Sequence, residues 1–534
     1  MRTASRVFWL LVFVAVVFGP LLAVLWRALA EVLAGEVPAT PLTGVRQLML
    51  LARSVGLAGA VALAGMTVGT LAALRLWQWR SGAGTWLRWA VLVFAPIPPY
   101  IHALVWNETT WAAGSVLAPL GLGPVSLRGW TASWFVQTVA LLPLAVGLAL
   151  VGLEMVRPRL TEAARTHGPD LRVLGRVILP LAAPYLVAGG ALLFLLTLMD
   201  YSVPSLLSVN VYATEVFAEY SASSDVGSAL AIALPLIVVA LLAVVAAQSA
   251  LRNAASSHSR EGPPGGGPMR WPTWLRAATL CALGVVAGQA LVMLVALVAA
   301  TGSASELAAA VSAAGREIGY TLATALGTAL AAVPLALVAA RGMVRPTGGG
   351  RLWRLLVSLP FAVPAPLVGI GLIAICALPL SPRGGGGLAL PALAALSRFV
   401  PVAAIAVLAQ LRRIDPALLD AAAVFGRRPR DLIVQVYLPL LGPGLLAAAA
   451  ISFALTVGEL GATLMVAPPG WPTVTMRIYS YLHYGGSSEV AGLCLAMAAM
   501  AITAGLLAAL ALSRWSTAMP ATRVQANLHG SMTG

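Results

Sequence analysis

Long uncharged runs alternate with short polar stretches along the whole chain. A helix needs about 20 apolar residues to cross a bilayer, and runs of roughly this kind occur six times in each half of the sequence. They cover residues 7–26, 54–74, 89–107, 131–153, 177–199, 226–251, 277–305, 318–340, 355–382, 399–411, 432–458 and 490–512. The tenth run, with residues preceding it, is the least regular because Arg398 interrupts it. The pattern predicts an all-α membrane protein of about twelve transmembrane helices.

One polar stretch, at residues 158–180, returns in altered form at residues 416–439. The first copy reads PRLTEAARTHGPDLRVLGRVILP, and the second reads PALLDAAAVFGRRPRDLIVQVYLP. A long internal repeat determines the fold, so we expect two transmembrane repeats, 1–251 and 276–534. Residues 252–275 are rich in Gly, Pro and polar residues and are predicted to form a cytoplasmic linker. An even number of spans in each half makes the repeats parallel.

The charged residues predict the orientation of the chain. Hydrophobic residues make up 60% of the chain and charged residues only 10%, against about 25% charged residues in soluble proteins. All 33 basic residues are arginine, and a cytoplasmic N-terminus places 25 of them inside and 8 outside. This asymmetry follows the positive-inside rule, predicts that both termini are cytoplasmic, and explains the net charge of +15 without nucleic acid. The first span is too long for a typical signal peptide and is expected to remain uncleaved.

The sequence lacks the residues that several kinds of site require. A Walker-type phosphate loop requires a lysine, and the chain has none. Cys281, Cys376 and Cys494 are far apart within apolar runs, and the histidines are scattered, so neither a disulfide framework nor a metal site is indicated. We expect no catalytic residue, no metal ligand and no cofactor in this chain.

The repeated polar insert has the features of a docking element. In each copy a proline is followed ten residues later by a glycine, at 158–168 and 416–426. Proline favours the first turn of a helix and glycine the position beyond its end, so each insert is predicted to begin with a helix of about ten residues. Paired alanines leave a slim face that fits a groove on another protein. A single copy is equally typical of an ordinary Arg-rich loop, whereas two matched copies favour docking. The matched residues are Glu162, Ala163, Ala164 and Gly168 in the first copy and Asp420, Ala421, Ala422 and Gly426 in the second.

The order E-A-A, three residues, Gly, about nine residues and I-x-L-P resembles the EAA motif of binding-protein-dependent ABC transporter permeases, the type I importers. Two departures are present: the first copy is one residue shorter between Gly168 and Pro180, and Asp420 stands where the family prefers Glu. The resemblance implies the type I permease fold for both halves. It also implies that each insert forms a coupling helix in a cleft of a cytoplasmic ATPase subunit.

The resemblance further implies a function and partners. The chain is expected to be the fused membrane subunit of an ATP-driven importer in the plasma (inner) membrane of a bacterium. Two copies of a cytoplasmic ATPase use ATP and Mg²⁺, and an external, periplasmic binding protein delivers the solute. Residues 457–486 are similar to fused permeases of the ferric-iron, thiamine and phosphonate group and also to molybdate permeases. Fused chains of this length favour ferric iron.

Two acids follow the inserts at matched distances. Asp200 lies 20 residues after Pro180, and Glu459 lies 20 residues after Pro439. A helix of that length spans roughly 30 Å, so both acids are expected near the outer face. Such residues can mark a solute pathway or a docking point for the binding protein, or simply a helix end, and the sequence leaves these alternatives open. The proline clusters at 96–99 and 360–366 likewise indicate kinks that line a pathway or serve packing alone.

Two other functions are weaker alternatives. A secondary transporter of twelve helices requires coupling carboxylates or histidines near the membrane centre, where these spans carry almost no charge. An intramembrane enzyme requires a paired metal motif or a Ser/His pattern, and the spans contain neither.

Overall fold

The computed structural model describes residues 3–35, 44–79, 83–120, 123, 126–254, 269–344, 348–377, 388–412, 414, 436–484 and 488–518. All regular elements in these ranges are helical. We refer to the described residues up to 254 as the first half and to those from 269 onward as the second half.

The first half contains a succession of long and short helices. They are α1 (Thr3–Leu33), α2 (Val45–Gln78), α3 (Ala83–Leu92), α4 (Pro99–Leu117), α5 (Gly129–Glu154), α6 (Pro158–Arg165), α7 (Asp170–Val173), α8 (Leu179–Met199), α9 (Ser202–Leu206), α10 (Tyr212–Ser223) and α11 (Val226–Ala254).

The second half follows a similar order with one added helix, α13. Its helices are α12 (Thr273–Thr301), α13 (Ala304–Ala313), α14 (Gly315–Val344), α15 (Gly348–Ser358), α16 (Ala365–Cys376), α17 (Ala389–Leu411), α18 (Leu438–Val457), α19 (Thr463–Val466), α20 (Val474–Tyr484) and α21 (Ser488–Ala518).

The described helices confirm an all-α membrane protein that crosses the bilayer many times. Ten of them are long and apolar enough to span a membrane, and the count is eleven if the bent pair 349–362 and 365–376 forms one span. The tenth predicted span is a continuous helix, α17, with Arg398 inside it. The third predicted span is divided between α3 and α4, because the chain leaves the helical path at residues 93–98, where its proline cluster predicted a kink.

The two proline clusters interrupt equivalent helices. Residues 93–98 separate α3 from α4, and the pair around Pro364 bends by 92°. Proline lacks the N–H that continues a helix and clashes with the preceding turn. Pro99 begins α4, and Pro366 lies in the first turn of α16, where this missing donor carries no penalty.

The first helix of each half packs against the other half. Phe13 and Val17 of α1 belong to a buried cluster with α14 and α17, and Leu275 and Leu283 of α12 belong to one with α2 and α5. The hydroxyl of Ser397 also donates to the carbonyl of Val17 at 2.8 Å. This exchange of helices places residues of both halves in the same buried clusters.

A glycine permits the closest approach across this exchange. A Cβ added at Gly371 in α16 would lie 2.1 Å from the carbonyl oxygen of Pro20 in α1. Since real Cβ atoms essentially never come within 3.0 Å of another heavy atom, any larger residue at this position must separate α1 from α16.

The last residues of the predicted linker fold onto the first half. Met269 and Trp271 are buried in the cluster that contains α2, α5 and the start of α8. The amide of Gln78 donates to the carbonyl of Met269 at 3.0 Å. Residues 255–268 lie outside the described ranges, so the domain limits at 251 and 276 stay a prediction.

Candidate functional site

The first polar insert forms a short surface helix, α6. Pro158 occupies its first turn and Arg157 precedes it in an extended conformation. The helix has eight residues rather than the ten predicted, because side chains beyond its end bind its carbonyls. The hydroxyl of Thr166 donates to the carbonyl of Ala163 at 2.7 Å, and a ring nitrogen of His167 lies 3.0 Å from the same oxygen.

One side of α6 faces away from the protein. Ala163 and Leu160 are exposed, whereas Thr161 is buried and Glu162 is half-buried. Ala164 packs against the buried cluster formed by α2, α5 and α12. The predicted slim face therefore exists, with an alanine and a leucine on its open side.

Gly168 lies three residues beyond the end of α6 and does not have the left-handed backbone typical of a glycine that ends a helix. Its backbone is not among the described glycines with positive φ, and an added Cβ would meet only Arg172 atoms, at 3.7 Å or more. The position therefore accepts a small side chain without strain in the permease itself.

The end of the insert is fixed by Asp170. Its carboxylate pairs with Arg165 at 2.9 Å and accepts the backbone N–H of Arg270. A π-helical turn, Leu174–Ile178, then leads directly into α8. Only a short connection therefore separates α6 from a spanning helix.

The second insert cannot be compared in the same way. Asp420, Ala421, Ala422 and Gly426 lie outside the described residues. The chain is described again from residue 436, where two residues in π-helical conformation precede α18, as such a turn precedes α8. The second coupling helix therefore stays a prediction.

At the end of α8 remote from α6, Asp200 stabilises the next helix. Its carboxylate accepts the backbone N–H of Ser202 at 2.9 Å, the hydroxyl of Ser202 at 2.6 Å and the side-chain amide of Gln137 at 3.0 Å. An acceptor at the start of α9 satisfies an N–H that has no partner within the helix.

Glu459 has the same place after α18. It accepts the backbone N–H groups of Ala462 at 2.9 Å and Thr463 at 2.8 Å, and also the hydroxyl of Thr463. The guanidinium of Arg398, on α17, donates to this carboxylate as well. The side chain of Glu459 is 1% exposed and that of Arg398 is 20% exposed.

Tyr201 brings the first half against this ion pair. A Cβ added at Gly461 would lie 2.6 Å from the Cβ of Ala365 and 3.3 Å from Cε1 of Tyr201, so the absence of a side chain there makes room for the tyrosine. A second contact between the halves joins the hydroxyls of Ser205 and Tyr479 at 3.4 Å. We call Asp200, Tyr201, Arg398, Glu459 and Tyr479 the junction cluster.

Sequence reasoning located two members of the junction cluster and missed three. Asp200 and Glu459 were singled out by their spacing, and the geometry shows both as caps of short helices. Arg398 was visible only as an interruption of a span, although a charge within a span is itself a functional signal. Tyr201 and Tyr479 carried no sequence signal.

The end of the molecule remote from α6 also contains an ion-pair network on Arg477. Its guanidinium contacts Glu317 at 2.7 Å and Glu489 at 2.9 Å, joining α14, α20 and α21. Burial lowers the pKa of Arg477, but hydrogen bonds to Glu317, Glu489 and Tyr481 outweigh burial and raise it. Within the described ranges, no group of three or more His, Cys, Asp or Glu residues is arranged to hold a metal ion.

Comparison with known proteins identifies the second half. Residues 332–518 match the family described as binding-protein-dependent transport system inner membrane component. This range is similar to the permease domain of that family. The resemblance inferred from the insert is thus confirmed, and the matched range includes Arg398, Glu459 and the second insert.

Individual relatives are also permeases. The chain is 35% identical over 148 residues to the "Putative 2-aminoethylphosphonate transport system permease protein PhnV" of Salmonella typhimurium, which covers 27% of this chain and 54% of PhnV. It is 35% identical over 88 residues to PhnU of Salmonella typhi, a protein with the same description, covering 16% of this chain and 30% of PhnU. The chain therefore spans about half the length of PhnV.

Proposed function

We propose that this chain is the membrane-spanning permease subunit of an ATP-driven importer of the binding-protein-dependent type. The observation that carries the proposal is α6, an anchored helix with a slim exposed side, in a chain whose second half matches the permease family. In this proposal, α6 and the segment containing Asp420 and Gly426 each enter a cleft of one copy of a cytoplasmic ATPase. ATP and Mg²⁺ bind to that partner, and this chain catalyses no reaction itself.

The geometry supports a mechanical role for α6. The Arg165–Asp170 pair and the backbone of Arg270 hold the insert to the protein. From there α8 extends to Asp200, a helical distance of about 30 Å for 20 residues. A push on α6 is thereby carried through α8 to the junction cluster, where the two halves meet.

The orientation in the membrane follows from the arginine distribution. We propose that α6 and both termini face the cytoplasm of a bacterium and that the chain lies in its inner membrane. The opposite face, which carries the Arg477 network, then receives the solute from a periplasmic binding protein.

A small organophosphonate is the solute that we propose. PhnV and PhnU are both named for 2-aminoethylphosphonate, whereas the expectation of ferric iron rested on chain length alone. Their names therefore favour a phosphonate over iron, thiamine or molybdate.

The test is reconstitution of the complete transporter. The chain is co-expressed with the ATPase and binding protein encoded beside it, purified and placed in liposomes. We expect the ATPase to co-purify, and we expect uptake of 2-aminoethylphosphonate to require both ATP and the binding protein. Uptake driven by an ion gradient without nucleotide would instead establish the secondary transporter and overturn the proposal.

A further inference from the structure

Arg398 is a charged side chain that the proposed mechanism leaves unexplained. It lies ten residues into the 23-residue helix α17, within a segment long and apolar enough to span a membrane. Ionisable side chains inside spans are unfavourable, and they commonly mark the path of an ion or solute.

Glu459 does not require Arg398 as its only partner. Its carboxylate already accepts two backbone N–H groups and one hydroxyl from α19. These donors also fix the carboxylate in place. The pairing with Glu459 therefore serves to position the guanidinium of Arg398. The equivalent acid, Asp200, accepts only from neutral donors, and Gln137 on α5 takes the place of the arginine.

The guanidinium of Arg398 retains donor capacity. An arginine has five N–H donors in a planar fork, and one terminal nitrogen of Arg398 donates to Glu459. Among the residues with described positions, no second carboxylate pairs with it. Its side chain is 20% exposed although its helix is largely buried.

Tyr201 supplies a second unused donor from the other half. The residue is 7% exposed, and its hydroxyl has no hydrogen-bond partner in the described part of the chain. A buried hydroxyl without a partner is unfavourable by about 1–3 kcal/mol. A ligand with several acceptor oxygens at the junction cluster would accept from both the Tyr201 hydroxyl and the guanidinium N–H groups of Arg398 that do not bind Glu459.

We propose that Arg398, positioned by Glu459, and Tyr201 of the other half bind the anionic group of the transported solute. The chemical class is a tetrahedral oxyanion, namely a phosphonate or a phosphate, whose oxygens match the arginine fork. This inference rests on the proposed function for its choice of solute. Because the contact bridges the two halves, their separation during transport removes Tyr201 and weakens the hold on the anion.

The site is tested on the full chain in lipid nanodiscs by titration calorimetry. The probes are 2-aminoethylphosphonate, methylphosphonate, inorganic phosphate and ethylamine, which carries the ammonium group without the anion. We expect the phosphonates to bind and ethylamine not to bind. Equal binding of inorganic phosphate supports the oxyanion contact and assigns phosphate as a source of the ligand.

Three variants and one control localise the binding. Arg398→Gln should weaken phosphonate binding about 10- to 100-fold, since a hydrogen bond to a charged group contributes about 1.5–3 kcal/mol. Arg398→Lys keeps the pair with Glu459 but loses the fork, and Tyr201→Phe keeps the ring, so both test the contact in a protein with intact packing. Each should weaken binding less than Arg398→Gln. Arg46→Gln, which removes an exposed arginine paired with Glu215, should leave binding unchanged.

The outcomes separate this site from the proposed function. Unchanged phosphonate binding by Arg398→Gln, or absence of anion binding by the unmodified chain, overturns the site. If reconstituted uptake requires ATP but its rate at saturating loaded binding protein is the same in Tyr201→Phe and Arg398→Lys as in the unmodified chain, the importer stands and the site is wrong. If binding depends on Arg398 while uptake ignores ATP, the site stands and the importer is wrong.

Discussion

Asp200 and Glu459 hold equivalent positions in the two halves, and each carboxylate accepts a backbone N–H of the short helix that follows it. The two positions differ in the partner that comes from the helix preceding the insert. Gln137 donates to Asp200, whereas Arg398 donates to Glu459. Both halves therefore have a structural cap, and in the second half the cap also pairs with a charged side chain.

This difference predicts unequal effects of removing the two acids. Glu459→Ala leaves Arg398 without its carboxylate in a largely buried place and should lower the free energy of unfolding by about 3–5 kcal/mol. Asp200→Ala removes a helix cap and the acceptor of a hydrogen bond from Gln137 but leaves no charge unpaired, so it should lower the free energy of unfolding by about 1–3 kcal/mol. Thermal unfolding in detergent measures both. In the double variant Arg398→Met with Glu459→Ala, part of the loss should be regained, and equal losses in the two single variants would contradict this interpretation.

Gly168 offers a test of the coupling helix with little effect on the fold. Since an added Cβ meets nothing closer than 3.7 Å, Gly168→Asp and Gly168→Ala should both fold and reach the membrane. The aspartate places a bulky charge beside the exposed side of α6, so we expect it to reduce co-purification of the ATPase and ATP-driven uptake at least about tenfold, equivalent to 1.4 kcal/mol. Gly168→Ala is the matched control and should retain most activity. Normal uptake by the aspartate variant would remove α6 from the coupling pathway.

The hydrophobic pattern was sufficient to predict the spanning helices. Long apolar runs become helices because the bilayer provides no other partner for backbone N–H and C=O groups. The helices α5, α11 and α14 extend up to four residues beyond their predicted limits, and α2 begins nine residues before its predicted start. The break in the third span could be predicted only as a kink at its prolines. Proline indicates a kink, but its angle depends on what packs against the freed backbone.

Details of the candidate site depended on contacts that no local pattern contains. Thr166 and His167 end α6 before Gly168 by binding the carbonyl of Ala163, a competition between side chain and backbone that spacing alone does not reveal. Arg398 and Glu459 are 61 residues apart, and Tyr201 comes from the other half. These three residues come together only when both halves pack, and the repeat predicts two similar halves but not the contacts between them.

The packing of α1 against α16 of the other half makes Gly371 sensitive to substitution. Gly371→Ala forces a Cβ into the backbone of Pro20 and should destabilise the protein by about 1–3 kcal/mol through overpacking. Gly327→Ala in α14 is the control, because no atom lies within 4 Å of its added Cβ. That change should be neutral or stabilise the helix by about 0.5–1 kcal/mol. Melting temperatures of the two variants in the same detergent compare them directly, and equal melting temperatures would show that α1 does not pack tightly on the second half.

The start of α12 provides a last comparison, between Trp271 just before the helix and Trp274 in its first turn. Trp271 is 3% exposed and lies in the buried cluster formed by α2, α5 and α12, whereas Trp274 is 63% exposed. Trp271→Ala should lower the free energy of unfolding by about 3–5 kcal/mol, as expected for a buried aromatic residue, and Trp274→Ala should change it by less than about 1 kcal/mol. Because Arg270 beside it donates to Asp170 at the end of the insert, Trp271→Ala should also weaken the ATPase response to the binding protein. A variant that loses stability but keeps a full response would show that the linker end supports the fold without restraining α6.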